Sequence, residues 1–92
     1  ESVTKKDLAR IHEVFNRDDI SKLINIKTIH LSPTDILVTA KVDIKDECEV
    51  HSPEIVNDIE RTIRAAFPSY KIYIYIETDN YQEDYDSTHP TR

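Results

Sequence analysis

The side chains in this sequence that could do chemistry are carboxylates, imidazoles and one thiol, and they gather in three places. Glu77 and Asp79 stand two residues apart at the end of an alternating apolar pattern, His30 precedes a predicted turn, and DECEVH occupies 46–51, ending in His51. Carboxylate, imidazole and thiolate groups bind zinc and related divalent cations. None of these places by itself offers the three or four spaced ligands of a diagnostic site, so a solvated acidic loop or strand end is the alternative interpretation of each.

Composition excludes several classes of function. The sequence contains no glycine, so a phosphate-binding loop that needs close backbone approach is not expected. It also has no nucleophile elbow and no zinc-finger spacing, and we predict that the chain is not an enzyme. A net charge of −6 with scattered lysines and arginines argues against a nucleic-acid partner. Cys48 is the single cysteine, which excludes an internal disulfide and fits a reducing compartment.

The length of the chain predicts one small domain. A chain of 92 residues buries only about 60–65% of the surface of its unfolded form, so self-association would add to its stability. No apolar run approaches the roughly 20 residues that cross a bilayer, so this segment is not expected to span a membrane itself. The sequence begins at Glu1 and contains no methionine, which suggests a domain taken from a longer protein.

The first half of the chain predicts a helix and a hairpin. Apolar residues at helical spacing predict a helix over 4–16. A period of two then predicts strands over 24–31 and 36–44, which should pair antiparallel. Between them lies the turn SPTD, in which Pro33 presets φ at the second position.

The second half predicts a longer helix and one more strand. After a polar connection, Ser52 is the expected N-cap, and Pro53 suits the first turn. The apolar stripe of this helix comprises Ile55, Ile59, Ile63 and Phe67, with Val56 and Ala66 beside it. Pro68 ends the helix, and a strand follows over 71–78. We predict one folded domain over 1–79 and an acidic, disordered tail over 80–92.

The element order α-β-β-α-β predicts an α+β, ferredoxin-like domain, in which a three-stranded sheet carries two helices on one face. The alternating isoleucines of the last strand should face those helices. It follows that Leu37, Tyr73 and Tyr75 lie on the uncovered face. Because tyrosine is enriched at protein interfaces, we predict a dimer interface there; a partly solvated antiparallel sheet is the alternative.

The chain from Ile11 to Asp79 resembles the cytoplasmic C-terminal domain of the cation diffusion facilitator family of metal-ion transporters. The resemblance rests on the element order and on two segments, KTIHLSPTDILVTAKVDI and EIVNDIERTIRAAFPSYKIYIYIETD. It implies a soluble homodimeric domain on the cytoplasmic side of the membrane, attached to a transmembrane domain of the same chain that exports zinc or a similar divalent cation. Metal bound between or within the domains would tighten the dimer.

The resemblance carries over to metal ligands only in part. Asp79 matches an aspartate that ends the last strand in many members, and Glu77 stands where the family carries a histidine. A histidine common at the start of the second helix is replaced by Pro53, with His51 two residues earlier. The histidine often found on the second strand has no counterpart near Ala40. The resemblance therefore implies either dimerisation by packing alone or weak binding of zinc or another divalent cation by Glu77, Asp79 and His51.

Two other interpretations remain at this stage. A stand-alone small-molecule sensor of similar architecture normally has a glycine-bearing ligand loop, and this sequence has no glycine. A metal-binding domain of the metallochaperone type would carry two nearby cysteines, and only Cys48 is present. Hydrophobic spans encoded immediately upstream of Glu1 would favour the transporter over both alternatives.

Overall fold

The computed structural model describes residues 4–79 as a three-stranded sheet with two helices. The elements are α1 (Lys5–Val14), β1 (Ile20–Ser32), β2 (Asp35–Ile44), a 3₁₀ helix (Asp46–His51), α2 (Ser52–Ala66) and β3 (Lys71–Thr78). Helix, strand, strand, helix and strand follow one another as predicted, which confirms the α+β class. The predicted tail over 80–92 lies outside the described residues.

Helix α1 begins at a capped residue and ends shortly before its predicted end. The Asp7 N–H donates to the Thr4 hydroxyl oxygen at 3.2 Å, which satisfies one of the donors left free at a helix start. Phe15 closes the helix, and its own N–H donates back to the His12 carbonyl at 3.0 Å. Ile11 and Phe15 are buried, so one side of this short helix is committed to the core.

The sheet has the order β1-β2-β3, with β1 antiparallel to β2 and β3 parallel to β2. β1 begins at Ile20, earlier than the sequence pattern predicts, where Ile20 lies opposite Ile44. Irregular register between Ile20 and Lys22, and again between Leu23 and Asn25, breaks the alternation of apolar and polar residues. The period of two is therefore absent from the start of the strand, although the strand is present.

The connection into α2 differs from the prediction of a simple polar loop with a Ser52 N-cap. Residues Asp46–His51 form a 3₁₀ helix that leads directly into α2. Ser52 has helical angles, φ −51° and ψ −46°, whereas an N-cap residue needs extended backbone. Its hydroxyl instead donates to the Glu49 carbonyl at 2.8 Å, and the capping position falls to His51 without a side-chain hydrogen bond.

One apolar core lies between the helices and one face of the sheet. The buried residues are Ile11, Phe15, Ile20, Ile36, Val38, Ala40, Val42, Ile44, Ile55, Ile59, Ile63, Phe67, Ile72 and Ile74. On β2 and β3 these are alternate residues of a single face, so both helices cover that face, as predicted. The stripe of α2 is the centre of the core, because Ile59 and Ile63 are completely buried. Neither α1 nor α2 lies against the opposite face of the sheet.

Candidate functional site

The open face is the face of the sheet that neither helix covers. Its side chains include Asn25, Lys27, Ile29 and Leu31 from β1, Asp35, Leu37, Thr39 and Lys41 from β2, and Lys71, Tyr73, Tyr75 and Glu77 from β3. The ladder aligns Ile29, Leu37 and Tyr73 in one row across the three strands. The next row contains Lys27, Thr39 and Tyr75. Apolar side chains therefore predominate towards one end of the open face, where Asp35 and Lys71 form a further, charged row, and polar side chains occupy the other end.

The apolar end of the open face is exposed to solvent. Ile29, Leu31 and Tyr75 are 47%, 56% and 65% exposed, and Val50 is the one other large hydrophobic residue within 4–79 that is exposed to a similar or greater degree. Leu37 and Tyr73 lie between them and are half-buried. The sequence analysis named Leu37, Tyr73 and Tyr75 but missed Ile29 and Leu31. The alternation of β1 would have placed both residues on this face.

Glu77 and Asp79 lie at the polar end of the open face, and both are exposed. Glu77 is beside Lys41 in the ladder, and the Asp79 N–H continues the ladder by donating to the Val42 carbonyl at 2.9 Å. The Lys41 ammonium nitrogen lies 3.5 Å from a carboxylate oxygen of Asp79. A positive charge therefore already neutralises part of the negative charge that a cation would meet here.

An open depression of about 270 Å³ adjoins this end of the sheet. Its lining consists of Asn25, Thr39, Ala40, Lys41 and Glu77. The lining combines an amide, a hydroxyl, an ammonium group and one carboxylate. The depression offers hydrogen-bonding groups to a ligand, but it holds neither imidazole nor thiolate.

His51 lies at the same end of the domain as Glu77 and Asp79. Because β2 and β3 are parallel, the end of β2, the 3₁₀ helix and the start of α2 follow at the end where β3 also finishes. Within residues 4–79, however, no three or more histidine, cysteine, aspartate or glutamate side chains come close enough together to hold a metal ion. Zinc favours four ligands that include nitrogen or sulfur. The described part of one chain therefore does not supply a complete zinc site.

His30 is too far away to share a site with these residues. It lies opposite Ile36 in the ladder, and Ile36 aligns with Ile72, five residues before Glu77. Five residues of strand correspond to about 16 Å. The His30 ring contacts the edge of the Tyr70 ring, with the centroids 5.8 Å apart, at the opposite end of the sheet.

A cluster of charged groups joins the start of β1 to α2. The Arg17 guanidinium donates to both carboxylate oxygens of Asp19, at 2.9 and 3.0 Å, and to Asp58 at 2.7 Å. Hydrogen bonds from Arg17 lower the pKa of Asp19 and of Asp58, and the two carboxylates raise the pKa of Arg17. Asp58 is 41 residues from Arg17, so no local sequence pattern indicated this contact. The cluster ties the turn before β1 to α2.

Solved structures share this fold over most of the chain. The C-terminal domain of the magnetosome protein MamB from Desulfamplus magnetovallimortis has a TM-score of 0.70 at 16% identity, with 86% of this chain and 98% of that chain covered. The nickel form of a point variant of the MamM C-terminal domain has a TM-score of 0.69 at 14% identity, with 86% of this chain and 100% of that chain covered. CzrB, described as a candidate zinc transporter, has a TM-score of 0.63 at 18% identity, with 85% and 99% covered.

At these identities the similarity establishes a shared fold, and it agrees with the family resemblance drawn from the sequence. MamM domains of the same fold have also been solved in cadmium, manganese and zinc forms. No family model matches the sequence, and no curated protein matches it. None of the helices within 4–79 is both long and apolar enough to cross a bilayer.

Proposed function

We propose that this chain is the cytoplasmic C-terminal domain of a divalent-cation efflux transporter of the cation diffusion facilitator type, where it dimerises and responds to metal. The observation that carries the proposal is the fold match to C-terminal domains, which extends over almost their whole length. The motifs that resemble the family lie in the matched elements, namely the hairpin, α2 and β3. Efflux itself would belong to a membrane domain elsewhere in the protein.

The apolar end of the open face is the proposed dimer interface. Leu37, Tyr73 and Tyr75, joined by Ile29 and Leu31, form a contiguous apolar surface across the three strands. Burying such a surface against a second copy removes it from water at about 25 cal/mol per Å². The interface uses rigid strands that the core already holds in place, so little ordering of the chain opposes association.

Metal binding in this proposal is weak and depends on the dimer. Glu77 and Asp79 present two carboxylates from one chain, and Lys41 competes with a cation for Asp79. A second chain could supply the ligands that one chain lacks, with His51 as the imidazole at the same end of the domain. Oxygen-rich sites suit harder cations better than zinc, which favours nitrogen and sulfur.

The proposal is tested with the complete gene product. We expect its reading frame to encode several hydrophobic spans before Glu1, and we expect cells that express it to accumulate less zinc or another divalent cation. Leu37→Glu should weaken this effect by placing a charge in the interface. Ala65→Glu adds the same charge at an exposed position of α2 and serves as the control.

A reading frame without hydrophobic spans would contradict the proposal and favour a stand-alone sensor domain. Equal metal accumulation with the parent and with Leu37→Glu would show that transport does not depend on the open face.

A further inference from the structure

β3 is an outer strand, and its hydrogen bonds to β2 show which of its backbone groups point away from the sheet. The Lys71 N–H donates to the Thr34 carbonyl at 2.8 Å, and the Asp79 N–H donates to the Val42 carbonyl at 2.9 Å. In a parallel pair of strands, every second residue directs both its N–H and its C=O to the neighbouring strand. The odd-numbered residues of β3 therefore bond to β2, and the even-numbered residues point outward.

The outward groups belong to Ile72, Ile74, Ile76 and Thr78. One side-chain contact agrees with this assignment, because the Arg64 guanidinium reaches the Ile72 carbonyl at 3.5 Å. A carbonyl oxygen has two lone pairs, so this long contact leaves capacity for a second donor. The outer edge of β3 thus offers a row of backbone donors and acceptors to another strand.

The two edges of the sheet differ in how well they are protected from pairing with a strand of another chain. β1, the other outer strand, has irregular register at three places, and irregularities of this kind protect an edge from pairing with other chains. β3 aligns with β2 without interruption from Lys71 to Thr78. It contains neither proline nor glycine and consists largely of isoleucine and tyrosine, which favour strands. An edge without such protection accepts a further strand.

We propose that β3 pairs edge to edge and antiparallel with β3 of a second copy of this chain, centred on Tyr75. Charge identifies the occupant, because β3 begins with Lys71, carries Glu77 near its end and is followed directly by Asp79. Antiparallel pairing about Tyr75 places Lys71 opposite the partner's Asp79, and it places Ile74 opposite the partner's Ile76. Both isoleucines carry outward backbone groups, so the hydrogen bonds and the charges fit in the same register.

Tyr75 supports this register from its side chain. It is 65% exposed on the single chain, and pairing about its position brings it against the partner's Tyr75. Aromatic pairs across antiparallel strands stabilise a sheet. The contact extends the sheet sideways, whereas the proposed dimer interface stacks the open faces, so the edge pairing does not rest on the proposed function.

Amide hydrogen exchange of the isolated domain in dilute and in concentrated solution tests the pairing residue by residue. The Ile74 and Ile76 amides should exchange fast in dilute protein, and they should slow by about tenfold or more once over nine-tenths of the chains are paired. The Tyr73 and Tyr75 amides bond to β2 and should be protected at both concentrations. The same result is expected with Leu37→Glu, because Leu37 lies on the central strand and not on the edge.

Substitutions at the edge separate pairing from folding. Thr78→Pro removes an outward N–H at an exposed position and should abolish the concentration-dependent slowing, whereas Thr78→Ala keeps the N–H and should retain it. Lys71→Glu should also abolish the slowing, and Lys71→Glu with Asp79→Lys should restore it by exchanging the two charges that face each other in the proposed register.

Three results would overturn the proposal. If the Ile74 and Ile76 amides still exchange fast in concentrated protein, the outer edge of β3 does not pair with another chain. Protection that is equal at both concentrations would show that the same chain covers the edge. Failure of the charge exchange to restore slowing, in a variant that keeps the protection of Tyr73 and Tyr75, would show that the strands do not meet in the proposed register.

Discussion

The Lys41 ammonium group beside Asp79 sets the strength of any cation site at the end of β3. The nitrogen lies 3.5 Å from the carboxylate oxygen, and both side chains are substantially exposed. A divalent cation must displace this lysine or share the carboxylate with it. Solvent screens the carboxylates further, so the site cannot depend on low dielectric for its affinity.

We expect zinc affinity no better than roughly micromolar, about −8 kcal/mol. Glu77→Ala with Asp79→Ala should abolish any zinc-dependent rise in melting temperature and leave the metal-free melting temperature nearly unchanged. Calorimetric titration with zinc, manganese and cadmium measures the binding. Asp46→Ala with Glu47→Ala removes the same charge from the 3₁₀ helix and is the control. If the first variant binds zinc as the parent does, the segment 46–51 becomes the better candidate.

Asp19 should make stability depend on pH in acid. Hydrogen bonds from Arg17 lower the pKa of Asp19 in the folded state, so its contribution is complete above the unfolded-state pKa and is lost as the pH falls through the folded-state pKa. Asp19→Asn should lower the free energy of unfolding by about 1 kcal/mol at neutral pH. This difference should shrink as the pH falls below about 3.9, the ordinary pKa of aspartate.

Urea unfolding at neutral and acid pH measures the effect. Asp18→Asn changes an exposed neighbour and should alter stability little. A difference between parent and Asp19→Asn that does not vary with pH would show that the Arg17 contact is not the source of the stability.

At the scale of elements, α2 supplies the side chains at the centre of the core. Ile59→Ala or Ile63→Ala should lower the free energy of unfolding by about 2–5 kcal/mol, because each loses burial and leaves a cavity at a fully buried position. Val50→Ala, at a residue 77% exposed, should change it by less than about 0.5 kcal/mol. Denaturant midpoints compare the variants. Unchanged midpoints for both isoleucine variants would mean that this face of α2 is not buried.

The elements that the sequence predicted well are those with an uninterrupted period. α2 repeats its isoleucines every four residues, and β3 alternates strictly, so both could be located from the pattern alone. The start of β1 could not, because irregular register shifts its alternation. The 3₁₀ helix is short and polar and leaves no periodic trace. Interactions across the fold, such as Arg17 with Asp58, depend on tertiary packing that no local pattern records.

The candidate sites could be predicted to a similar extent. The two faces of the sheet follow from alternation, which placed Leu37, Tyr73 and Tyr75 together on the open face. The same rule separated Glu77 from the core. Alternation does not give the distance between elements, so it could not show that His30 lies at the far end of the sheet. Nor could it show that Lys41 contacts Asp79.

At the scale of the whole molecule, the small core and the exposed apolar surface both favour association with a second copy. Within residues 4–79 the helices cover one side of the sheet, and the other side carries a contiguous apolar patch centred on Leu37 and Tyr73. A second copy would cover this patch without any change in the fold of the first. Metal is not required for this contact, since Glu77 and Asp79 lie at the other end of the open face.

The most direct test of this account is the molar mass of the isolated domain by sedimentation equilibrium at micromolar concentration, without metal and with zinc. At concentrations too low for the β3 edges to pair, we expect twice the mass of one chain for the parent in both conditions and for Ala65→Glu, and the mass of one chain for Leu37→Glu. A monomeric parent up to high micromolar concentration, with and without zinc, would contradict the account.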